Sequence, residues 1–361
     1  MIGAGPAGIG TALALGAVEG LTFGVIEKGR IGQTFLDWPE AQTFLTPSFT
    51  GNGFGATDLN AIHFETSPAF SLGTDYLSGR QYAKYLTAVT MHFRVPTMFG
   101  AEVQAVQRNA DEFEVHSTRG IVRARTVVWA GGEFGHPLSP GIPGAARCVH
   151  SRSAAAWVRR DGDVVVIGGY ESGIDLACHH VEQGATVTVV DGEHPWDAHQ
   201  GSDPSFRLAP RSRMRLKRAL ETGRLTLVAE RAVSVEAGDA GFAVRLGGGG
   251  TFSTPTVPIA ATGFGPGLGP VAQLFATRPD GWPELDTDDQ STLTPGLFLS
   301  GPAIRHGGQK FCFVYKFRQR FAHVARLIGE QAGKDTGALQ AWRKAGMLTE
   351  DLSCCGVECA C

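Results

Sequence analysis

The chain has 361 residues, enough for two domains of ordinary size. Apolar residues make up 43% and charged residues 19%, a globular balance, and the net charge of -3 offers nucleic acid no general attraction. No run reaches the roughly 20 apolar residues of a membrane span, so a soluble, cytoplasmic protein with neither a membrane nor a nucleic-acid partner is expected.

Met1 leads straight into Gly3-Ala4-Gly5-Pro6-Ala7-Gly8, so no secretory signal is expected. Thr11 to Val18 reads as helix, and Leu21 to Ile26 as a strand ending at Glu27. The order is strand, glycine turn, helix, strand. Only two residues precede the first glycine, whereas a strand usually has about five or six. A missing N-terminal piece or a misplaced start is therefore expected.

Glycine stands at 49 of 361 positions, about twice ordinary usage, and collects at turns of this kind. In a Gly-x-Gly-x-x-Gly turn, the first glycine makes the bend, the second admits a pyrophosphate, and the third lets helix and strand pack closely. Pro6 and Ala7 open a helix whose free N–H groups and dipole favour phosphate. Glu27, 24 residues after Gly3, is placed to accept two ribose hydroxyls, and Lys28 follows it. Gly3, Gly5, Pro6, Ala7, Gly8, Glu27 and Lys28 thus predict a dinucleotide site.

Thr126 to Gly132 reads as a strand ending in Ala130-Gly131, followed by a Gly/Pro-rich crossing at residues 135–144. The opening grammar then returns. Val164 to Ile167 is a strand, Gly168-Gly169-Tyr170-Glu171-Ser172-Gly173 a turn, Ile174 to Gln183 a helix, and Ala185 to Val190 a strand ending at Asp191. Tyr170 takes the second glycine's place, where its side chain would either crowd a pyrophosphate or pack beside it. Asp191 would repel a 2′-phosphate and favour NADH over NADPH. Against that stands the basic run Arg207, Arg211, Arg213, Arg215, Lys217 and Arg218, which reads as a solvated helix face or a 2′-phosphate contact. Val257 to Gly263 is a further strand ending in small residues. Leu293 to Pro302 and a helix from about Phe311 to Gly329 close the first domain, and the chain from Gln331 reads as an appended tail.

These two loops, with the TVVWAGG and AATGF strands, resemble the two-domain FAD/NAD(P)-binding flavoproteins, the superfamily of pyridine nucleotide-disulfide oxidoreductases and flavin-containing monooxygenases. The resemblance covers residues 1–330. It implies an α/β fold with two Rossmann-type dinucleotide-binding domains, the NAD(P) domain inserted in the FAD domain. The expected boundaries are 1–138 with 268–333 for FAD, 139–267 for NAD(P), and 334–361 for a cysteine-rich tail. The resemblance further implies that the first loop, with Ala130 and Gly131, holds FAD. Gly168, Gly169, Tyr170, Glu171, Ser172, Gly173, Asp191 and Gly263 would hold NADH or NADPH. Residues 294–301 would touch the flavin through Gly301. Many relatives follow that glycine with Asp; here Pro302 stands in its place. The relatives are commonly dimers, so a homodimer is expected.

The implied chemistry is hydride transfer from the nicotinamide to the flavin, then electron transfer to an acceptor. No cysteine precedes Cys148, and Ser151 stands where Cys148-x-x-Cys would be completed, so the internal dithiols of disulfide reductases are missing. Cys312 lies near Arg305 and Lys310, cations that would lower a thiol pKa. It reads either as a thiolate near the flavin or as a small buried hydrophobe. His306 is a candidate proton donor or a structural residue. The tail holds Cys354, Cys355, Cys359 and Cys361 within eight residues, and its Cys-Cys pair resembles the end of mercuric reductases. Soft-metal capture, a redox shuttle and an incidental thiol cluster all stay open. The expected function is a FAD oxidoreductase with a small-molecule or small-protein acceptor: a thiol, a disulfide or a soft metal species. The alternatives are a monooxygenase acting through a flavin hydroperoxide and a non-enzymatic flavin-binding metal sensor or chaperone.

Overall fold

In a computed structural model, residues 1–49, 57–198 and 203–352 are described. Alternation along one strand organises half of the fold. In Asp163–Ile167, Val164 and Val166 face one way and Val165 and Ile167 the other. The first pair packs on Ile174 and Leu176 of the helix Glu171–Glu182 and on Leu216 and Ala219 of the helix Pro210–Glu221. The second pair packs on Val235, Val244 and Leu246 of an antiparallel three-stranded sheet, Ala232–Gly238, Gly241–Leu246 and Thr251–Thr254. A strand covered on both faces needs no polar face, which is why it reads as an unbroken apolar run.

Asp163–Ile167 is the centre of a five-stranded parallel sheet. Its order is Leu225–Val228, Thr186–Val190, Asp163–Ile167, Ile259–Ala260, Val149–His150. The same order recurs elsewhere in the chain. Thr97–Met98 pairs with Val25–Ile26, Ile2 bridges to both Ile26 and Trp129, and Val127–Trp129 pairs with Leu297–Leu299, all parallel. This sheet also has an antiparallel partner, Val103–Asn109, Glu112–Ser117 and Gly120–Ala124. Even the bulges correspond: register shifts between Val103 and Ala105 in one ladder and between Ala232 and Ser234 in the other. The protein is α/β, with two Rossmann-type units built on one plan.

The first unit comprises Met1–Asp37, Thr46–Gly135 and the chain from Pro266; the second comprises Trp38–Leu45 and His136–Gly265. The short piece Trp38–Leu45 has no counterpart in the sequence reading. It is held within the second unit by Arg211, whose guanidinium donates to Thr43 Oγ1 at 2.6 Å and to the Phe44 carbonyl at 3.2 Å.

Several elements differ from their expected extents. The first strand is the single residue Ile2, bonded to Val128 and Ala130 on one side, while Met1 and Gly3 bond to Ile26 on the other. The strand expected from Leu21 is ordered as ladder only at Val25–Ile26, because its partner Thr97–Met98 is equally short. The closing helix is broken: Val314–Phe317, a tight turn at Arg318–Arg320, then Phe321–Gln331. A hairpin, Arg305–His306 with Gln309–Lys310, precedes it. The chain past Gln331 begins as part of the first unit. Trp342 is buried in the helix Gln340–Lys344, with its ring edge-on to His63 and Phe64. No helix among the described residues is long and apolar enough to cross a membrane.

Candidate functional site

The two glycine turns match bond for bond. Gly3 N–H donates to the Ile26 carbonyl at 2.8 Å, and Gly168 N–H to that of Val190 at 2.9 Å. Ala130 N–H donates to Ile2 O at 2.9 Å, and Ala261 N–H to Ile167 O at 2.7 Å. Gly3 has φ +103° and Gly168 φ +104°, a region that L side chains rarely adopt. A Cβ on Gly3 would overlap the Ala130 carbonyl oxygen, and one on Gly168 that of Ala261. A Cβ on Gly8 would overlap the Gly3 carbonyl, and one on Gly173 that of Gly168. Gly132 (φ +70°) and Gly263 (φ +78°) turn the chain away after the two flanking strands.

The carboxylates correspond as well. Glu27 is buried; Oε2 accepts from Ala4 N–H and Oε1 from Gly29 N–H, each at 2.7 Å. Asp191 Oδ2 accepts from Gly169 N–H at 2.7 Å and Oδ1 from Glu193 N–H at 2.8 Å. Each side chain is fixed by one bond to its glycine turn and one to the residue two positions on.

The turns part company at the second glycine. Gly5 has φ -82°, which any residue adopts, so its backbone does not require glycine. A Cβ there would meet nothing within 4 Å. This open space fronts the helix Pro6–Gly16, whose N-terminus has no side-chain cap, and it suits the close approach of a pyrophosphate. Tyr170 has nearly the same backbone, φ -88°. Its side chain packs beside the turn, and its hydroxyl donates to the Arg207 carbonyl at 3.1 Å. Glu171 turns away too: its carboxylate accepts from Ala209 N–H and from Ser212 Oγ at 2.5 Å, capping the helix Pro210–Glu221. Burial outweighs those hydrogen bonds and pushes the Glu171 carboxyl above its ordinary value. Ser172 is half-buried one residue further along. Gly169 is covered by the Trp196 ring, a contact absent from the sequence reading.

Gly301 (φ +116°) closes the first site from the other side, where its Cβ would lie 3.1 Å from that of Ala7. Ser300 Oγ lies 3.0 Å from Thr11 Oγ1 on the same helix. Pro302 offers its carbonyl to Arg305 Nη1 at 2.6 Å. Ala130 is buried beneath the turn, while Gly131 and Lys28 are exposed. A cavity of about 730 Å³ opens just past Glu27, lined by Gly29, Arg30, Ile31, Lys84, Met91 and Phe99 among others.

The basic run is dispersed. Arg215 pairs with Asp175 and Glu182, Arg211 holds Trp38–Leu45, and Arg213, Lys217 and Arg218 are exposed. Cys148 is half-buried, with its thiol pushed up by burial. Cys312 is half-buried, two residues ahead of the helix Val314–Phe317 rather than inside it, and faces the buried Arg305. His306 is bound to a residue the sequence did not signal: its Nε2 lies 2.6 Å from Asp289 Oδ1. Asp289 is fully buried at φ +63° and also accepts from Arg320 Nε at 2.7 Å. No group of three metal-binding side chains occurs among the described residues; Cys354, Cys355, Cys359 and Cys361 lie outside them.

Burial would raise the Asp289 carboxyl, but Arg320 and His306 outweigh it and hold it below its ordinary value. A depressed carboxyl stabilises the fold above its unfolded pKa, about 3.9, and that contribution is lost as pH falls through the lower folded value. Asp289→Asn is therefore expected to lose about 3–5 kcal/mol at neutral pH, because Arg320 stays buried without its charge partner. Urea titration checks this. The gap between wild type and variant should narrow below about pH 4; a gap that widens there contradicts the assignment.

Residues 1–301 match the pyridine nucleotide-disulphide oxidoreductase family, and the chain belongs to it. The cofactors of this family are FAD and NAD(P)H, and the protein is a FAD-dependent pyridine-nucleotide oxidoreductase. Among individual relatives, the chain is 29% identical to a ferredoxin--NADP reductase of Paramagnetospirillum magneticum over 246 residues, 64% of this chain and 69% of the relative. It is 27% identical to bacilliredoxin reductase Bdr of Bacillus subtilis over 191 residues, 53% and 55% of the two chains. Its fold is similar to that of bacillithiol disulfide reductase Bdr from Staphylococcus aureus, with TM-score 0.73, 19% identity and 91% and 97% of the chains covered. A flavin-containing monooxygenase from Stenotrophomonas maltophilia has the same fold at TM-score 0.67 and 17% identity, covering 92% and 97%.

Proposed function

We propose that the protein takes a hydride from NADH onto FAD and passes the electrons to a separate small acceptor, a disulfide or a small electron-carrier protein. The observation that carries this reading is the pair of equivalent turns, each with an outward-facing helix start and a fixed carboxylate. In this reading Gly3, Gly5, Gly8 and Ala7 hold the FAD pyrophosphate, Glu27 its adenosine ribose, and the cavity beside Gly29 its adenine. Ala130, Gly131 and Gly301 line the flavin side. Gly168, Gly169, Ser172, Gly173 and Gly263 hold the nicotinamide nucleotide, with Tyr170 beside it and Asp191 on the ribose. When bound, the flavin supplies the two-electron chemistry. The protein's share is orientation and charge.

The acceptor class follows from the cysteines and the relatives. No cysteine precedes Cys148, and Ser151 stands where a Cys148-x-x-Cys pair would be completed. Electrons therefore leave for an external acceptor, in keeping with the reductases named among the relatives. Cys312 beside Arg305 and His306 anchored on Asp289 are the side chains proposed to serve that exit. The cysteines of the terminal segment are proposed to bind a soft ion or to shuttle electrons, a role separate from hydride entry.

Anaerobic addition of NADH is expected to bleach the protein's bound flavin, and a disulfide or ferredoxin-type protein is expected to restore its colour. A flavin that NADH and NADPH both leave oxidised would sink the reading. Formation of an oxygenated product on admission of air would replace the acceptor with O₂.

A further inference from the structure

The strand Thr186–Val190 ends at Asp191, and the two residues that follow it meet a side chain from elsewhere in the second unit. Asp191 Oδ1 accepts from Glu193 N–H at 2.8 Å, which holds Glu193 beside the carboxylate. Gly192, between them, lies outside the left-handed region, so its backbone does not require glycine. What requires it is space. A Cβ on Gly192 would lie 2.3 Å from Arg231 Cγ and 3.2 Å from Arg231 Nε.

Arg231 follows the strand Leu225–Val228, the neighbour of Thr186–Val190 in the parallel sheet. Its carbonyl accepts from Gly247 N–H at 2.9 Å, which fixes its backbone. The adjacent Glu230 is engaged elsewhere: its Oε2 accepts from Gly248 N–H at 3.1 Å. The Arg231 stem lies against Gly192, and its Nη2 pairs with Glu193 Oε1. Arg231 is 75% exposed and Glu193 74%, and an ion pair that open to water is weakly held. A nucleotide whose ribose meets Asp191 would carry a 2′-phosphate beside that carboxylate. The two residues next in sequence, Gly192 and Glu193, have no cation to offer it. Arg231, lying on both of them, has one.

We infer that Arg231 is a masked contact for a nucleotide 2′-phosphate, with Glu193 as the mask. The inference rests on the reading of the second turn as the nicotinamide-nucleotide site. Asp191 sets the sign of the preference for NADH by repelling a 2′-phosphate, and Glu193 reinforces it by occupying the one cation at hand. The mask is partial, because the phosphate is the better partner. Its charge of about -1.5 to -2 exceeds that of a carboxylate, and its oxygens match the planar guanidinium fork. NADPH is therefore admitted by partner exchange: the guanidinium leaves Glu193 and takes the phosphate. NADH carries no group that can make this exchange, so it leaves the pair intact.

The test uses the flavin-loaded protein and two probes that differ only in the 2′-phosphate, 5′-AMP and 2′,5′-ADP. Calorimetry reads their affinities apart from turnover. Arg231→Ala should weaken 2′,5′-ADP about tenfold, the loss of one charged hydrogen bond, while 5′-AMP moves less than about twofold. Glu193→Gln should tighten 2′,5′-ADP about fivefold, the release of one exposed ion pair. That gain should vanish in the double variant Glu193→Gln/Arg231→Ala, because the mask acts only through the cation. The ratio of kcat/KM for NADPH to that for NADH should follow the same three changes, with the effect in KM. Unchanged 2′,5′-ADP affinity in either single variant would overturn the inference. So would an Arg231→Ala that weakens both probes equally, the mark of a merely structural residue. A loss of 2′,5′-ADP affinity in Arg213→Ala but not in Arg231→Ala would move the phosphate to the helix Pro210–Glu221 and overturn it as well. A wild-type protein that binds neither probe and neither nicotinamide nucleotide would instead overturn the reading of the second turn, and the inference with it.

Discussion

Glu27→Ala is expected to purify with little or no FAD. Glu27 lies buried, and each carboxylate oxygen already accepts one backbone N–H, from Ala4 and Gly29, both at 2.7 Å. Those bonds leave each oxygen a second lone pair, and two ribose hydroxyls fit that supply. Hydrogen bonds to a charged group contribute about 1.5 kcal/mol or more each, so losing two weakens FAD by about 100-fold. The variant also strands the buried Ala4 N–H, at about 1–3 kcal/mol, and the half-buried Gly29 N–H. Glu27→Gln separates these effects. Its amide oxygen still accepts one N–H, but its amino group faces the other donor, so the fold is partly restored while ribose binding stays impaired. The flavin-to-protein absorbance ratio and FAD titration of the apoprotein measure the effect. Full flavin occupancy in Glu27→Ala would contradict the assignment.

Much of this site is legible in the sequence because its physics is local. Gly8 and Gly173 meet their constraints within one turn, at the carbonyls of Gly3 and Gly168, and Glu27 and Asp191 bond to that turn and to a residue two positions on. What escapes the sequence depends on distant pairing. Ile2 counts as a strand only because Ile26 and Trp129 flank it. The antiparallel ladders at residues 103–124 and 232–254 are edge sheets with many exposed positions, so their apolar pattern is thin. Asp289 sits in the acidic run Asp286-Thr287-Asp288-Asp289, which reads as a solvated loop. Its burial is set by Arg320 and His306, 31 and 17 residues away. Trp342, in a stretch taken for a tail, packs against His63 and Phe64 nearly 280 residues earlier, beyond any window of periodicity. Tyr170 shows the opposite limit. Its place in the motif is plain, but the direction of its ring is decided by the Arg207 carbonyl.

The second large effect is expected at Asp191. Wild type should use NADH better than NADPH, and Asp191→Ala should shrink that ratio by about tenfold, equivalent to about 1.4 kcal/mol. The carboxylate is held beside its glycine turn by Gly169 N–H and Glu193 N–H. Opposite ribose hydroxyls it accepts hydrogen bonds; opposite a 2′-phosphate it repels. Two unit charges about 5 Å apart interact by about 3 kcal/mol at an effective dielectric of 20, reduced by salt at a half-exposed position. Glu193 adds to the negative side but is paired with Arg231, so Asp191 sets the sign. The measurement is kcat/KM for both nucleotides, with the change falling mainly in KM. An unchanged ratio would remove the specificity argument. The two carboxylates also test each other, because they hold the same place in two copies of one plan. If the first copy holds FAD, Glu27→Ala loses flavin and leaves the NADH-to-NADPH ratio of reconstituted enzyme unchanged, while Asp191→Ala keeps its flavin and changes that ratio. Had the cofactors been assigned to the wrong copies, the two phenotypes would be exchanged, because each carboxylate acts only on the ribose beside its own turn.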